Sequence, residues 1–254
     1  MIGKRITKII QNIEKRKFRD KYKLFKIEGD KIVNELLNSS FKPVYIIGIP
    51  EWNPDFVLSG TEVIRVNKEE MQKLSAFASP PEVIAIVEIP ETGIPEVSYA
   101  DKLILILNGI QDPGNFGTIV RTADWFGIRN IYCDTDCCDR YNPKALQASM
   151  GSVFRVNIRY TDIENLICSA PPGFPCFGTV LDGKNIYEYE KLPSAGFIVM
   201  GNEGRGINPE LRSLITERIR IPDFPHSSGS AESLNVSVAT GIVLSEFRRH
   251  LHKS

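Results

Sequence analysis

Two short segments without a polar side chain, Leu103-Ile-Leu-Ile-Leu107 and Phe197-Ile-Val-Met200, restrict what this 254-residue chain can fold into. A strand with one face in water alternates apolar and polar residues, whereas a strand covered on both faces of a parallel sheet reads as an unbroken apolar run. Each run passes directly into glycines and small polar residues: Asn108-Gly-Ile-Gln-Asp-Pro-Gly-Asn-Phe-Gly117 after the first, and Gly201-Asn-Glu-Gly-Arg-Gly206 after the second. Such residues at strand ends are how an open α/β sheet forms a ligand crevice.

The rest of the chain fits around that constraint. Beyond Pro95 the pattern predicts strands over Lys102–Leu107, Arg129–Cys133, Phe154–Ile158, Phe174–Leu181, Phe197–Gly201 and Arg218–Ile221. It predicts helices over Asn115–Phe126, from Asn208-Pro209, and over Leu234–Arg249. Ahead of this lies Ile89-Pro-Glu-Thr-Gly-Ile-Pro95, a linker by its Pro and Gly content. The first third predicts strands at Val44–Ile49, Glu62–Val66 and Val83–Ile89, with helices at Asp30–Leu37 and Lys68–Phe77. That alternation is expected of a small α/β sandwich. The expected domains are residues 1–93 and residues 94–254.

A formal net charge of zero conceals an asymmetry, because residues 1–31 hold eleven Lys or Arg against four acids. A basic segment of this kind meets anions, nucleic acid first among them. On charge alone it serves equally well as a solvated helix face. Ile2, Ile6, Ile9, Ile10 and Ile13 fall at helical spacing, but the segment is too rich in Lys and too poor in Ser for a transit peptide. No apolar run approaches membrane-spanning length and no secretory pattern opens the chain. Five cysteines, three of them at Cys133, Cys137 and Cys138, then imply reduced thiols in a cytoplasmic setting. With no second pair at ligand spacing and no nearby His, the cluster is not expected to hold zinc, and no metal is expected elsewhere.

Three segments carry chemistry. In the first, Asp112-Pro-Gly-Asn predicts a tight turn, followed by a helix starting near Gly117 whose free N–H groups suit an anion. Arg121 would then lie about one turn in, where its fork can grip a phosphate. An Asn cap with a surface Arg salt bridge explains the same residues without function. The second, Gly201-Asn-Glu-Gly-Arg-Gly206, lets a ligand lie against main chain, and Glu203 supplies a carboxylate for Arg121 or for a hydroxyl. In the third, Glu232-Ser-Leu-Asn-Val-Ser-Val-Ala239, Ser233 is the expected helix cap with Asn235 in the first turn. Neither a dinucleotide-binding Gly-x-Gly-x-x-Gly nor a P-loop is present.

In this order the three segments resemble the signature motifs of the SpoU/TrmH family of RNA ribose 2′-O-methyltransferases, within the SPOUT superfamily. The likeness spans Leu103 to Arg249, with a looser likeness of Phe18-Arg19, Phe25, Glu28-Gly29 and Val33 to the family's substrate-binding domain. It implies a trefoil-knotted parallel-sheet catalytic domain preceded by a small ribosomal-protein-like α/β RNA-binding domain. It implies methyl transfer from S-adenosylmethionine to structured RNA, ribosomal RNA ahead of transfer RNA, by a homodimer paired through the closing helix. The resemblance makes Arg121 catalytic, with Asn115, Glu203, Ser233 and Asn235 around it, and gives Gly201, Ile221 and Leu234 to the cofactor. The stretch 223–230 is longer than in many members, and His226 within it receives no role. A non-catalytic RNA-binding module of the same fold, and a metal- or thiol-dependent enzyme built on the cysteines, are the competing readings.

Overall fold

The computed structural model describes residues 2–53, 60–91, 99, 102–224 and 233–249. Most of the expected linker, the boundary at 93/94, Glu232 and all of 223–230 beyond Phe224 lie outside the described residues. The chain forms two compact units, one of residues 1–94 with 139–155, the other of residues 95–138 with 156–254.

The first unit opens with helices α1 (Lys4–Asn12) and α2 (Arg16–Tyr22), then strand β1 (Leu24–Glu28) and helix α3 (Asp30–Leu37). Strands β2 (Pro43–Gly48) and β3 (Glu62–Arg65), helix α4 (Lys68–Leu74) and strand β4 (Val83–Glu88) follow. The sheet order is β1-β4-β2-β3, with β4 antiparallel to both neighbours and β2 parallel to β3. α3 buries Ile32, Val33, Leu36 and Leu37, the stripe its spacing predicts. α4 begins in a reciprocal capping box between Asn67 and Glu70.

Two of the basic residues of the opening segment are not surface charges. Lys26 is 3% exposed and holds Glu14 and Glu28, each at 2.7 Å. Arg19 is 3% exposed and gives two hydrogen bonds to Asp139 Oδ2, at 2.5 and 3.1 Å, and two to the carbonyls of Ile13 and Glu14. Asp139 opens the excursion 139–155, which adds helix α6 (Pro143–Ser149) to this unit. Tyr141 stacks on Phe25 at 4.3 Å, Phe154 meets Phe41 edge-on at 5.1 Å, and Arg155 pairs with Glu35.

The second unit is a six-stranded, wholly parallel sheet. Its strands are β5 (Leu103–Leu107), β6 (Asn130–Cys133), β7 (Asn157–Tyr160), β8 (Cys176–Asn185), β9 (Gly196–Met200) and β10 (Glu217–Arg220), in the order β10-β8-β9-β5-β6-β7. Every residue of β5 and β9 is buried, as their unbroken apolar runs require. The helices are α5 (Pro113–Trp125), α7 (Ile163–Cys168), α8 (Pro209–Ser213) and α9 (Val236–Arg248).

Three local expectations are corrected. The strand expected at Phe154–Ile158 starts only at Asn157, because Met150 and Gly151 at φ 49° and 88° turn the chain into a 3-10 turn over Ser152–Phe154. α5 starts at Pro113, not near Gly117: Asp112 caps it through the Asn115 N–H at 2.8 Å, and Pro is at ease at the first helical position. The positive-φ turn accordingly lies at Gly109 (φ 66°), and Arg121 sits two turns into the helix. Finally, Asn235 and not Ser233 caps α9, its Oδ1 accepting from the N–H groups of Ser237 at 3.0 Å and Val238 at 3.4 Å.

Candidate active site

The first two segments follow the carboxyl ends of β5 and β9, the third spans the start of α9, and one side chain from each meets the others. The Asn115 amide on α5 donates to Glu203 Oε1. The Asn235 amide donates to the same oxygen at 3.2 Å and to Asn115 Oδ1 at 2.9 Å. Asn235 thus uses its oxygen to cap α9 and its nitrogen to close this cluster, a division of labour that Ser at the same position lacks. Glu203 Oε2 has no hydrogen-bond partner among the described residues.

A second layer of amides fixes the loops that carry the cluster. Asn108, 5% exposed, donates to Asp134 Oδ2 at 2.5 Å and accepts the Asn208 N–H at 2.8 Å. Asp134 also takes the N–H groups of Gly109, Asp136 and Cys137 at 2.9 to 3.1 Å. Asn202 donates to the Gly109 carbonyl at 2.7 Å and accepts from Gly204 and Arg205, so the loops after β5 and β9 are bound to one another. Sequence reasoning names Asn108 only as the opening residue of the first segment, without a role, and gives Asp134 no part. The signal that could find them is a polar residue directly following each of the buried strands β5 and β6.

Arg121 stands apart from the cluster. It is exposed, and at about 100° per residue it points roughly 240° around α5 from Asn115. No ion pair joins it to Glu203 among the described residues, so the expected Arg121–Glu203 pairing within one chain does not form. Arg121 instead lines a groove of about 760 Å³ between α5 and α9, with Thr118, Trp125, Tyr187, Ile242 and Glu246. Ser233 is exposed just before α9.

The residues given to the cofactor line up with strand ends. Gly201 follows β9, and Ile221, half-buried, follows β10. Leu234 is 49% exposed beside Asn235, an apolar side chain left standing in solvent. Apolar surface next to a glycine loop with accessible main chain is the chemistry an adenosine group needs, so the residues present fit S-adenosylmethionine. The glycine at 201 also has a reason of its own. A Cβ there would come within 2.5 Å of the backbone of Gly206 and Ile207, because Asn202 and Gly206 exchange main-chain hydrogen bonds across the turn. Gly201→Ala should therefore open that turn and weaken S-adenosylmethionine binding at least tenfold by calorimetry. Unchanged affinity in a folded variant would show that the loop does not form the cofactor site.

Three of the five cysteines serve packing, while Cys138 is half-buried and Cys168 is exposed. Cys133, Cys137 and Cys176 are buried. Cys137 Sγ donates to the Leu107 carbonyl at 3.2 Å and accepts the Ile110 N–H at 3.3 Å. Burial pushes the Cys176 thiol up to about 12, the opposite of an activated nucleophile. Among the described residues no group of three or more His, Cys, Asp or Glu is placed to hold a metal, and no helix is long and apolar enough to cross a membrane.

Comparison with known proteins agrees with this geometry. Residues 102–245 match the model of the SpoU rRNA methylase family, and residues 4–85 match an MRM3-like substrate binding domain. The chain is 28% identical over 242 residues to the 23S rRNA (guanosine(2553)-2′-O)-methyltransferase RlmP of Bacillus subtilis, covering 94% of each. It is 31% identical over 195 residues to the 23S rRNA (guanosine-2′-O-)-methyltransferase RlmB of Coxiella burnetii, covering 76% of each. The crystal structure of an AdoMet-bound rRNA methyltransferase from Sinorhizobium meliloti superposes with a TM-score of 0.86 at 29% identity, over 99% of this chain and 97% of that one.

Proposed function

The chain belongs to the SpoU rRNA methylase family, and on that premise we propose that it transfers a methyl group from S-adenosylmethionine to a ribose 2′-hydroxyl of structured RNA, ribosomal RNA ahead of transfer RNA. The observation that carries this reading is the joining of Asn115, Glu203 and Asn235 by direct hydrogen bonds, since they come from the three separate motif segments.

S-adenosylmethionine, when bound, supplies a methyl on a sulfonium sulfur, an activated donor that needs no Lewis acid. What the protein adds is alignment and help with the hydroxyl proton. Asn115 and Asn235 fix the Glu203 carboxylate through one oxygen, which leaves Oε2 to accept the hydrogen bond of the ribose hydroxyl and aim its lone pair. Within one chain Arg121 stands apart from this cluster, so in the proposed homodimer the Arg121 of the second copy presents its permanent cation to the developing alkoxide, or holds an RNA phosphate that takes the proton. Ser233 adds a hydroxyl beside this cluster, while Gly201, Ile221 and Leu234 hold the adenosine part, mostly through main chain.

The reading includes the trefoil knot and a homodimer paired through α9. What supports pairing is apolar surface on the two helices that flank the Arg121 groove: Trp125 on α5 is 84% exposed and Val238 on α9 is 51% exposed. Placement in the cytoplasm and separate substrate-binding and catalytic domains over 1–93 and 94–254 belong to the same proposal.

The test uses purified protein, methyl-labelled S-adenosylmethionine and ribosomal RNA fragments. Label should appear at one ribose, in a linkage that resists alkaline cleavage, and ligand should raise the melting temperature. Binding of RNA with neither transfer nor a thermal shift would favour the non-catalytic module instead. Loss of activity with chelator or thiol blocker would favour the metal- or thiol-dependent enzyme.

A further inference from the structure

Of the eleven basic residues in the opening segment, Arg19 and Lys26 are consumed by buried ion pairs, which leaves nine on the surface. Five of these crowd into residues 15–23: Lys15, Arg16, Lys17, Lys21 and Lys23, all exposed. The sole acid among them, Asp20, reaches Arg16 at 3.9 Å. Like charges at this density repel one another, and a bound polyanion relieves the repulsion.

The same stretch repeats a Lys–aromatic pair one helical turn apart, Lys17-Phe18 and Lys21-Tyr22. On α2 the two rings are half-buried and parallel within 11°, with centroids 6.2 Å apart. The Lys17 ammonium lies 5.0 Å from the Phe18 ring, and that of Lys21 lies 5.4 Å from the Tyr22 ring. A duplex encloses its bases, so a helix that grips only duplex phosphates has no use for aromatic faces. Rings interleaved with cations are the combination by which proteins hold unpaired nucleotides, the base stacking on the ring and the phosphate meeting the ammonium.

We propose that the exposed side of α2, with Phe18, Tyr22, Lys17 and Lys21 at its centre, is a docking site for an unpaired, single-stranded stretch of the substrate RNA. The proposal rests on the RNA-methyltransferase reading above and adds where, and in what form, the RNA is first held.

Deleting residues 1–31 is not a clean test, because it also removes Phe25 and Ile27 from the core and Arg19 from Asp139. The full chain carrying Phe18→Leu and Tyr22→Leu, and separately Lys17→Gln and Lys21→Gln, serves better. The probes are a labelled single-stranded RNA and a duplex RNA of equal length, with S-adenosylmethionine affinity measured alongside. The aromatic pair of substitutions should weaken single-strand binding roughly 5- to 100-fold and leave duplex binding within twofold. The lysine pair, both exposed, should lower the salt slope for single strands by about 1.4. S-adenosylmethionine affinity should stay at the wild-type value in both.

Equal loss on single strand and duplex would reduce the rings to helix packing and overturn the site. So would single-strand affinity and slope that none of the four substitutions move. If these failures occur in a protein that still transfers methyl groups, the site is wrong and the enzymatic reading stands. A wild-type chain that binds no S-adenosylmethionine and transfers nothing, yet shows the α2 dependence, would instead uphold the site and sink the enzymatic reading.

Discussion

Arg121→Ala should lower methyl transfer by a hundredfold or more, on the order of the loss seen when a donor to a developing oxyanion is removed. Affinity for S-adenosylmethionine should remain within about twofold, because the proposed adenosine contacts at Gly201, Ile221 and Leu234 lie after β9, after β10 and before α9, not on α5. The side chain lines the α5–α9 groove, so its loss has a second possible consequence, a weakened dimer. Sedimentation of the variant separates the two. A dimer with intact cofactor binding and lost turnover assigns Arg121 to the ribose, and a monomer assigns it to the interface. Near-normal turnover in a folded dimer would remove Arg121 from the mechanism. Arg121→Lys gives a graded control, since an ammonium keeps the charge but not the planar fork.

How far such roles are legible in the sequence depends on what kind of physics sets each one. β5 and β9 are readable because burial on both faces leaves a signature in every residue from Leu103 to Leu107 and from Phe197 to Met200. α6 is not, although Asn142 and Pro143 are a good start signal. Seven residues give too little periodicity, and its apolar face, Ala145 and Leu146, becomes visible only once there is a sheet to pack on. The polar end of β8, Asp182–Asn185, escapes for the complementary reason, since a strand partly exposed at its end carries no apolar run. In the site, Asn115, Glu203 and Asn235 are found by their motif segments. Which of Ser233 and Asn235 caps α9 is decided by a neighbour 120 residues away, Asn115, and no local propensity contains that information. Charge is the most misleading guide. Arg19 and Lys26 look like members of a basic surface and are in fact interior residues, each recognisable only through its carboxylate partner.

That burial sets the second large effect. Arg19 and Asp139 have side chains 3% and 17% exposed, and the fork of Arg19 also satisfies the carbonyls at Ile13 and Glu14. Removing one partner of a buried pair strands the other, at a cost of about 3–5 kcal/mol, a large share of the ~5–15 kcal/mol by which a domain is stable. Asp139→Ala and Arg19→Ala should therefore each destabilise the first unit by that order. Arg19→Met combined with Asp139→Leu should cost clearly less than the two single changes added together, since no charge is left unpaired. Trp52 offers a local probe: it is 3% exposed in this unit and its indole N–H donates to Asp30 at 2.8 Å, so its fluorescence should follow urea unfolding there. Trp125, the only other tryptophan, lies on the proposed dimer surface of the second unit, so the measurement is made in a Trp125→Phe background that leaves Trp52 as the sole reporter. Because Asp139 lies far along the chain from Arg19, a loss seen at Trp52 on mutating Asp139 would establish that the excursion 139–155 is part of the fold of the amino-terminal unit. Single substitutions that each cost less than about 1 kcal/mol, the range of solvent-screened surface pairs, would show that the excursion is held by its other contacts, the aromatic pairs and Arg155–Glu35.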